Sequence, residues 1–174
     1  MDILEFWFPN DNFQKFWFDK SVDEVIKENF FDRLKYYESN EINYKLLNDQ
    51  ELLEIIIILD QFSRNIYRNE NFRKNDYKAL EMAQYFFENR KWNDKPIQHL
   101  VFYLMPYRHS NNDENLQFVY DILNQVNTNQ LSEGQKNLFT KFYQKTLQKL
   151  KGNCRKKVRS AQKAINRRNP KKRY

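Results

Sequence analysis

The stretch that most constrains this chain runs from Leu52 to Leu59, LLEIIIIL, in which Glu54 alone is polar. The four consecutive isoleucines suit a strand buried on both faces or a helix that is apolar all round, and length decides between them. Asn48 followed by Glu51 is a capping-box pattern just ahead of the run, and the segment continues without a breaker from Asp49 to about Arg68. About twenty residues is too long for a typical strand, so the run is read as a helix crossing the middle of a core.

The rest of the chain reads the same way. Ser21 with Glu24 marks a second capping box, opening a helix that carries Val22, Val25, Ile26, Phe30 and Leu34 and ends near Tyr37. NDYKALEMAQYFFENR places Leu80, Ala83 and Phe87 on one face, with Asp76 in the first turn. In KPIQHLVFYLMP, Pro96 fits the first helical position and Pro106 is expected to end the helix. NNDENLQFVYDILNQV follows, then a helix capped by Ser132 and Gln135 with Leu138, Phe139, Phe142, Thr146, Leu147 and Leu150 facing inward. A short DILEFWF element brings Trp7 and Phe8 to the body. Period-two alternation and Asn-Gly or Asp-Gly turns are absent. The expected fold is all-α: one domain over residues 1–150, with about seven or eight helices.

Only two glycines occur, which disfavours Gly-rich phosphate loops, whose backbone must approach the ligand closely or take positive φ. The single cysteine, Cys154, excludes an internal disulfide and fits a reducing compartment. The N-terminus has no basic region followed by an apolar stretch, and no apolar run is long enough to span a bilayer. A soluble, intracellular protein is expected, cytoplasmic or nuclear.

The net charge of +7 is unevenly placed. Residues 1–150 hold 19 basic and 23 acidic residues, a balance of −4; residues 151–174 hold 11 basic residues and no acid. After Gly152 the chain is therefore read as a basic tail, frayed or disordered, with residues 155–167 able to form a thinly apolar helix along Val158, Ala161 and Ile165. Arg155, Lys156, Lys157, Arg159, Arg167 and Arg168 are its candidate contacts to a polyanion such as nucleic acid. Tyr174 is its sole aromatic, leaving little for base stacking, and RRNPKKR also resembles a nuclear-targeting run.

The central helix ends in a dense polar group. Asp60, Arg64 and Arg68 follow at four-residue spacing, with Gln61 and Asn65 in the neighbouring row, so all five are expected on one side of the last two turns. Buried polar groups must be paired. Either Asp60 pairs with Arg64 and the arginines cap nearby carbonyls, or Arg64, Asn65 and Arg68, with Gln61 assisting, present donors to an anionic or carbonyl ligand. Downstream, FYLMPYRHS places His109 and Ser110 beyond a proline. His109 is a candidate acid or base, or a packed hydrogen-bonding residue; Ser110 is a nucleophile or the N-cap of the next helix. With His99 the only other histidine, no histidine-built metal site is expected, and no cofactor.

The motifs ILEFWF, KFWFDKS, ILDQFSRNIYR, NDYKALEMAQ and FYLMPYRHS, over about residues 2 to 125, resemble the domain of unknown function 924 family in order and spacing. The motif positions include Trp7, Phe8, Trp17, Phe62, Asp76, Tyr103 and Pro106 beside the polar residues already named. The resemblance implies an all-helical fold like tetratricopeptide-repeat superhelices and no established activity. The chain differs from the family pattern in having Ser63 where proline is usual and Asn111 where an acid is usual. It also lacks a later segment of the form F-G-R-F-P-H-R-N. The function expected from these features is a helical binding domain for a peptide or small anionic ligand. The rival expectations are a hydrolase or transferase using His109, and a polyanion-binding tail.

Overall fold

A computed structural model of the protein describes residues 1–9, 17, 19–68 and 73–168, with side chains through residue 160. Lys15, Phe16 and Phe18 of KFWFDKS, and Tyr174, lie outside these residues. Helix α1 (Ile3–Trp7) is capped by Asp2, whose carboxylate accepts from the Glu5 N–H at 2.8 Å. Helix α2 (Ser21–Ser39) does not use the expected Ser21–Glu24 box. Asp19 takes that part: the Ser21 N–H and hydroxyl both donate to its carboxylate, at 3.0 and 2.8 Å. Ser21 thus becomes the first helical residue. Val22, Ile26, Phe30 and Leu34 are buried at four-residue spacing, and Val25 falls off this stripe and is exposed.

The isoleucine run is helical. Helix α3 (Asp49–Ile57) opens on a complete capping box, in which Asn48 accepts from the Glu51 N–H at 3.0 Å and Glu51 from the Asn48 N–H at 2.9 Å. Ile56, Ile57 and Ile58 are wholly buried and Ile55 nearly so. The helix then widens into one π turn, Ile58–Phe62, before resuming as α4 (Ser63–Ile66). Ser63 explains the widening locally. Its N–H reaches back five residues to the Ile58 carbonyl, and its hydroxyl donates to the Leu59 carbonyl at 2.6 Å. The side chain thereby satisfies the acceptor that the backbone skipped.

Helix α5 (Asp76–Asn89) buries Ala79, Met82, Ala83 and Phe86, with Leu80 and Phe87 packed at the margin. Helix α6 (Ile97–His109) starts after Pro96, which takes the cap position. It also runs through Pro106 rather than ending there. Burial of Pro106 among the surrounding helices offsets the lost ladder bond, and the Ser110 N–H donates to the Pro106 carbonyl at 3.1 Å to close the last turn. His109 is therefore on a helix and not in a loop. Helix α7 (Asp113–Leu123) is capped by Asn112, and α8 (Glu133–Arg168) opens on the reciprocal Ser132–Gln135 pair. Helix α8 passes Gly152 without a break, so the basic segment expected to fray continues this helix to Arg168.

With α3, the π turn and α4 counted as one rod, seven helices and no strand occur among the described residues. The rod lies under α2, α5 and α6; α5 packs on α6, α6 on α7 and α8, and α7 on α8. One continuous core joins them. Its aromatic packing is dense where α1 meets the rod: Trp7 stands edge-on to Phe62 at 5.2 Å and Phe30 lies 4.8 Å from the same ring. Phe86 and Tyr103 stack nearly parallel at 3.6 Å, locking α5 to α6. No helix of the described residues is long and apolar enough to cross a membrane.

Candidate functional site

The π turn carries the centre of the site. Asp60 is fully buried on it, surrounded by hydrocarbon from the isoleucine run on one side. A carboxylate in that position needs compensating donors. His109, at the end of α6, supplies the main one, its Nδ1 lying 2.8 and 3.0 Å from the two Asp60 oxygens. Gln61 donates its side-chain amide to Asp60, and an Arg64 terminal nitrogen lies 3.5 Å away. Burial alone would raise the Asp60 pKa. The neighbouring imidazole, Arg64 and the Gln61 amide outweigh it and hold the carboxyl below its ordinary range.

That pairing fixes the imidazole. A carboxylate accepts only, so Nδ1 is the donor and Nε2 is the remaining ring nitrogen. Arg64 also reaches Asp76 of α5 at 2.5 Å. Arg73 donates to the His109 carbonyl at 3.0 Å and lies 3.4 Å from Asp76. Lys149 of α8 donates to the Arg108 carbonyl at 3.0 Å. Arg108 lies over the Phe142 ring at 4.9 Å, and its buried Nε–H has no acceptor among the described residues. Burial lowers the pKa of Arg108 and also of Lys149, which is lowered further by the field of Arg108, Arg73 and Arg64.

The five polar residues of the rod do not share one side. Asp60, Gln61 and Arg64 face the ends of α5 and α6. Asn65 and Arg68 face α2, where Asn65 donates to Asp23 at 2.7 Å and Arg68 contacts both Asp23 oxygens at 2.7 and 2.8 Å. Adjacent helical residues point about 100° apart, so Arg64 and Asn65 meet different neighbours, Asp76 and Asp23. Ser110 is not the cap of α7; Asn112 is, accepting from the Glu114 N–H at 2.8 Å. The Ser110 hydroxyl donates to the Tyr107 carbonyl at 2.7 Å and accepts from Asn115 at 2.9 Å. Its proton is donated to the backbone, an arrangement that braces the turn.

Three residues of this cluster were not singled out by motif: Arg73, Arg108 and Lys149. Arg108 had a signal, as the sole strong cation within an otherwise apolar helix. Lys149 had none among the many lysines of α8. In the basic segment, Arg155, Lys156, Lys157 and Arg159 are exposed, and Lys157 is paired with Asp113 of α7. Arg167 and Arg168 belong to the last turn of α8, and their side chains lie outside the described residues. No group of three or more potential metal ligands occurs among the described residues.

Fold and site together define an all-helical protein with one buried carboxylate held by His109, Gln61 and Arg64. The chain belongs to the family described as "Bacterial protein of unknown function (DUF924)", whose model matches residues 3–167. That span corrects the resemblance drawn from motifs, which stopped near residue 125: the basic helix also falls within the family match. No curated protein and no solved structure matches the chain.

Proposed function

We propose that this protein is a helical binding domain for a small anion, a dicarboxylate, phosphate or peptide carboxyl group, held by cations grouped around the Asp60–His109 pair. One observation carries the reading. Arg64, Arg73, Arg108 and Lys149 come from four separate segments, and the carboxylates placed among them by the described residues are Asp60 and Asp76. Among the described residues these four cations outnumber the two carboxylates placed with them, an excess of positive charge at a partly buried place that suits an anionic ligand. Sequential packing of α5 to α8 supports the tetratricopeptide-like description, in which such helices frame a concave face. Relative to the sequence reading, Asn65 and Arg68 give way to Arg73, Arg108 and Lys149, because Asp23 already engages both.

The test is a thermal-shift screen of citrate, succinate, phosphate and peptides with free carboxyl termini at low ionic strength. A ligand at about 100 times its Kd stabilises by about 2.7 kcal/mol. Lys149→Ala is expected to abolish that stabilisation. An equal shift in both proteins, or no shift with any anion, removes the proposal.

A second reading rests on the dyad itself. A buried aspartate fixing an imidazole through Nδ1 leaves Nε2 suited to general acid–base work. It predicts turnover of some ester, amide or phosphoester that His109→Gln loses while the variant, whose amide can still donate to Asp60, remains folded. A variant that instead unfolds assigns His109 to packing.

A further inference from the structure

Helix α8 carries a second feature that the anion site does not use. It spans 36 residues, Glu133–Arg168, and its two halves differ in kind. In the first half, Leu138, Phe142 and Thr146 are buried against the body. In the second, every residue from Cys154 to Ser160 is exposed. Lys151, Arg155 and Arg159 recur at four-residue spacing along this second half, and the sequence continues the spacing with Lys163 and Arg167. Lys156 and Lys157 widen the charged arc.

This arrangement is unfavourable in isolation. Like charges at four-residue spacing each cost about 0.2–0.5 kcal/mol, Gly152 weakens the helix, and a length of about fifteen unsupported residues is marginal in water. Among the described residues, Asp113 is the sole carboxylate that pairs with this stretch, through Lys157, with Asn153 beside it donating at 2.7 Å. That contact anchors the base of the arm on the start of α7 and leaves Arg155, Lys156 and Arg159 turned to solvent.

We propose that the exposed half of α8 is a sequence-indifferent binding arm for duplex DNA, which it contacts through the phosphate backbone. Charge complementarity is the first argument. Residues 151–174 contain 11 cations and no acid, while residues 1–150 carry a net −4, so a polyanion is drawn to the arm and repelled by the body. Shape and composition choose among polyanions. A single α-helix fits the major groove of B-DNA, whereas that of an RNA duplex is too deep and narrow. No aromatic residue occurs between 151 and 168, so single-stranded bases have nothing to stack on. The apolar stripe that the sequence offers along this arm, Val158, Ala161 and Ile165, holds two large side chains, too little to seat a helix in a bilayer surface.

The experiment is fluorescence anisotropy of the full chain with a labelled 20-base-pair DNA duplex between 50 and 200 mM salt. Wild type is expected to bind with an affinity that falls steeply with salt. The triple variant Arg155→Ala/Lys156→Ala/Arg159→Ala should bind at least tenfold more weakly, with a shallower salt slope by about 2–3, since each phosphate contact contributes about 0.9. The control Lys20→Ala/Lys27→Ala/Lys91→Ala removes equal charge from the body and should bind as wild type. Circular dichroism melts verify that both variants fold. Absence of DNA binding at 50 mM salt, unchanged binding by the arm variant, or equal loss in the control overturns the proposal. So does tighter binding to an RNA duplex or to phosphatidylserine vesicles than to DNA.

Discussion

Replacing Asp60 by alanine removes the one group that holds the π turn, α6 and the arginines together. The carboxylate is wholly buried and is met by His109 at 2.8 Å, by Arg64 at 3.5 Å and by the Gln61 amide. Its loss strands the buried His109 donor and takes from Arg64 one of its carboxylate partners, Asp76 remaining, and removing one partner of a buried pair costs about 3–5 kcal/mol. In a chain of this size each kcal/mol moves the melting temperature by about 2–4 °C, so Asp60→Ala should melt about 6–20 °C lower. Asp60→Asn keeps the shape and one acceptor and should lose less. Calorimetric melts from pH 3 to pH 7 separate charge from packing. Because the folded carboxyl titrates below its unfolded value of 3.8, its contribution is present above that value and is lost as pH falls through the lower folded pKa. The gap between wild type and Asp60→Asn should therefore narrow below about pH 4. An Asp60→Ala protein melting within 2 °C of wild type at pH 7 would refute the reasoning.

Other substitutions test the elements that build the site. Asn48→Ala removes the cap of α3 and should cost about 1 kcal/mol by urea unfolding; an unchanged midpoint would show that the box contributes nothing. Gly152→Ala meets no atom within 4 Å and should raise stability or helicity at 222 nm by the equivalent of about 0.5–1 kcal/mol; lost helicity would contradict a continuous α8. Phe86→Ala breaks the stack on Tyr103 and should cost about 3–5 kcal/mol, measured by denaturant melts, with a loss under 1 kcal/mol arguing against that packing.

Much of the fold was legible because its signals are local. Asn48–Glu51 and Ser132–Gln135 cap their helices as their spacing predicts, and the isoleucine run is buried all round. Where local rules failed, a neighbour or the tertiary fold had overruled them. Asp19 displaced the Ser21–Glu24 box, and the surrounding core carried α6 through Pro106 and so put His109 on a helix. Asp60 and His109, 49 positions apart, were singled out separately, and the structure joins them by a direct bond. The π turn was not readable, since it depends on which carbonyl the Ser63 N–H selects. Arg73, Arg108 and Lys149 converge through packing of separate segments, and periodicity carries no information about that.

The crowding of positive charge around the dyad is open to direct measurement at Lys149. Titration of its Cε signal by NMR, assigned with Lys149→Arg, reports the amine's pKa. Its value should lie below that of an ordinary lysine, because burial and then Arg108, Arg73 and Arg64 disfavour the charged form. Saturation with a bound dianion should move it upward. A lysine that titrates at the ordinary value of about 10.4 and ignores every anion would contradict the account.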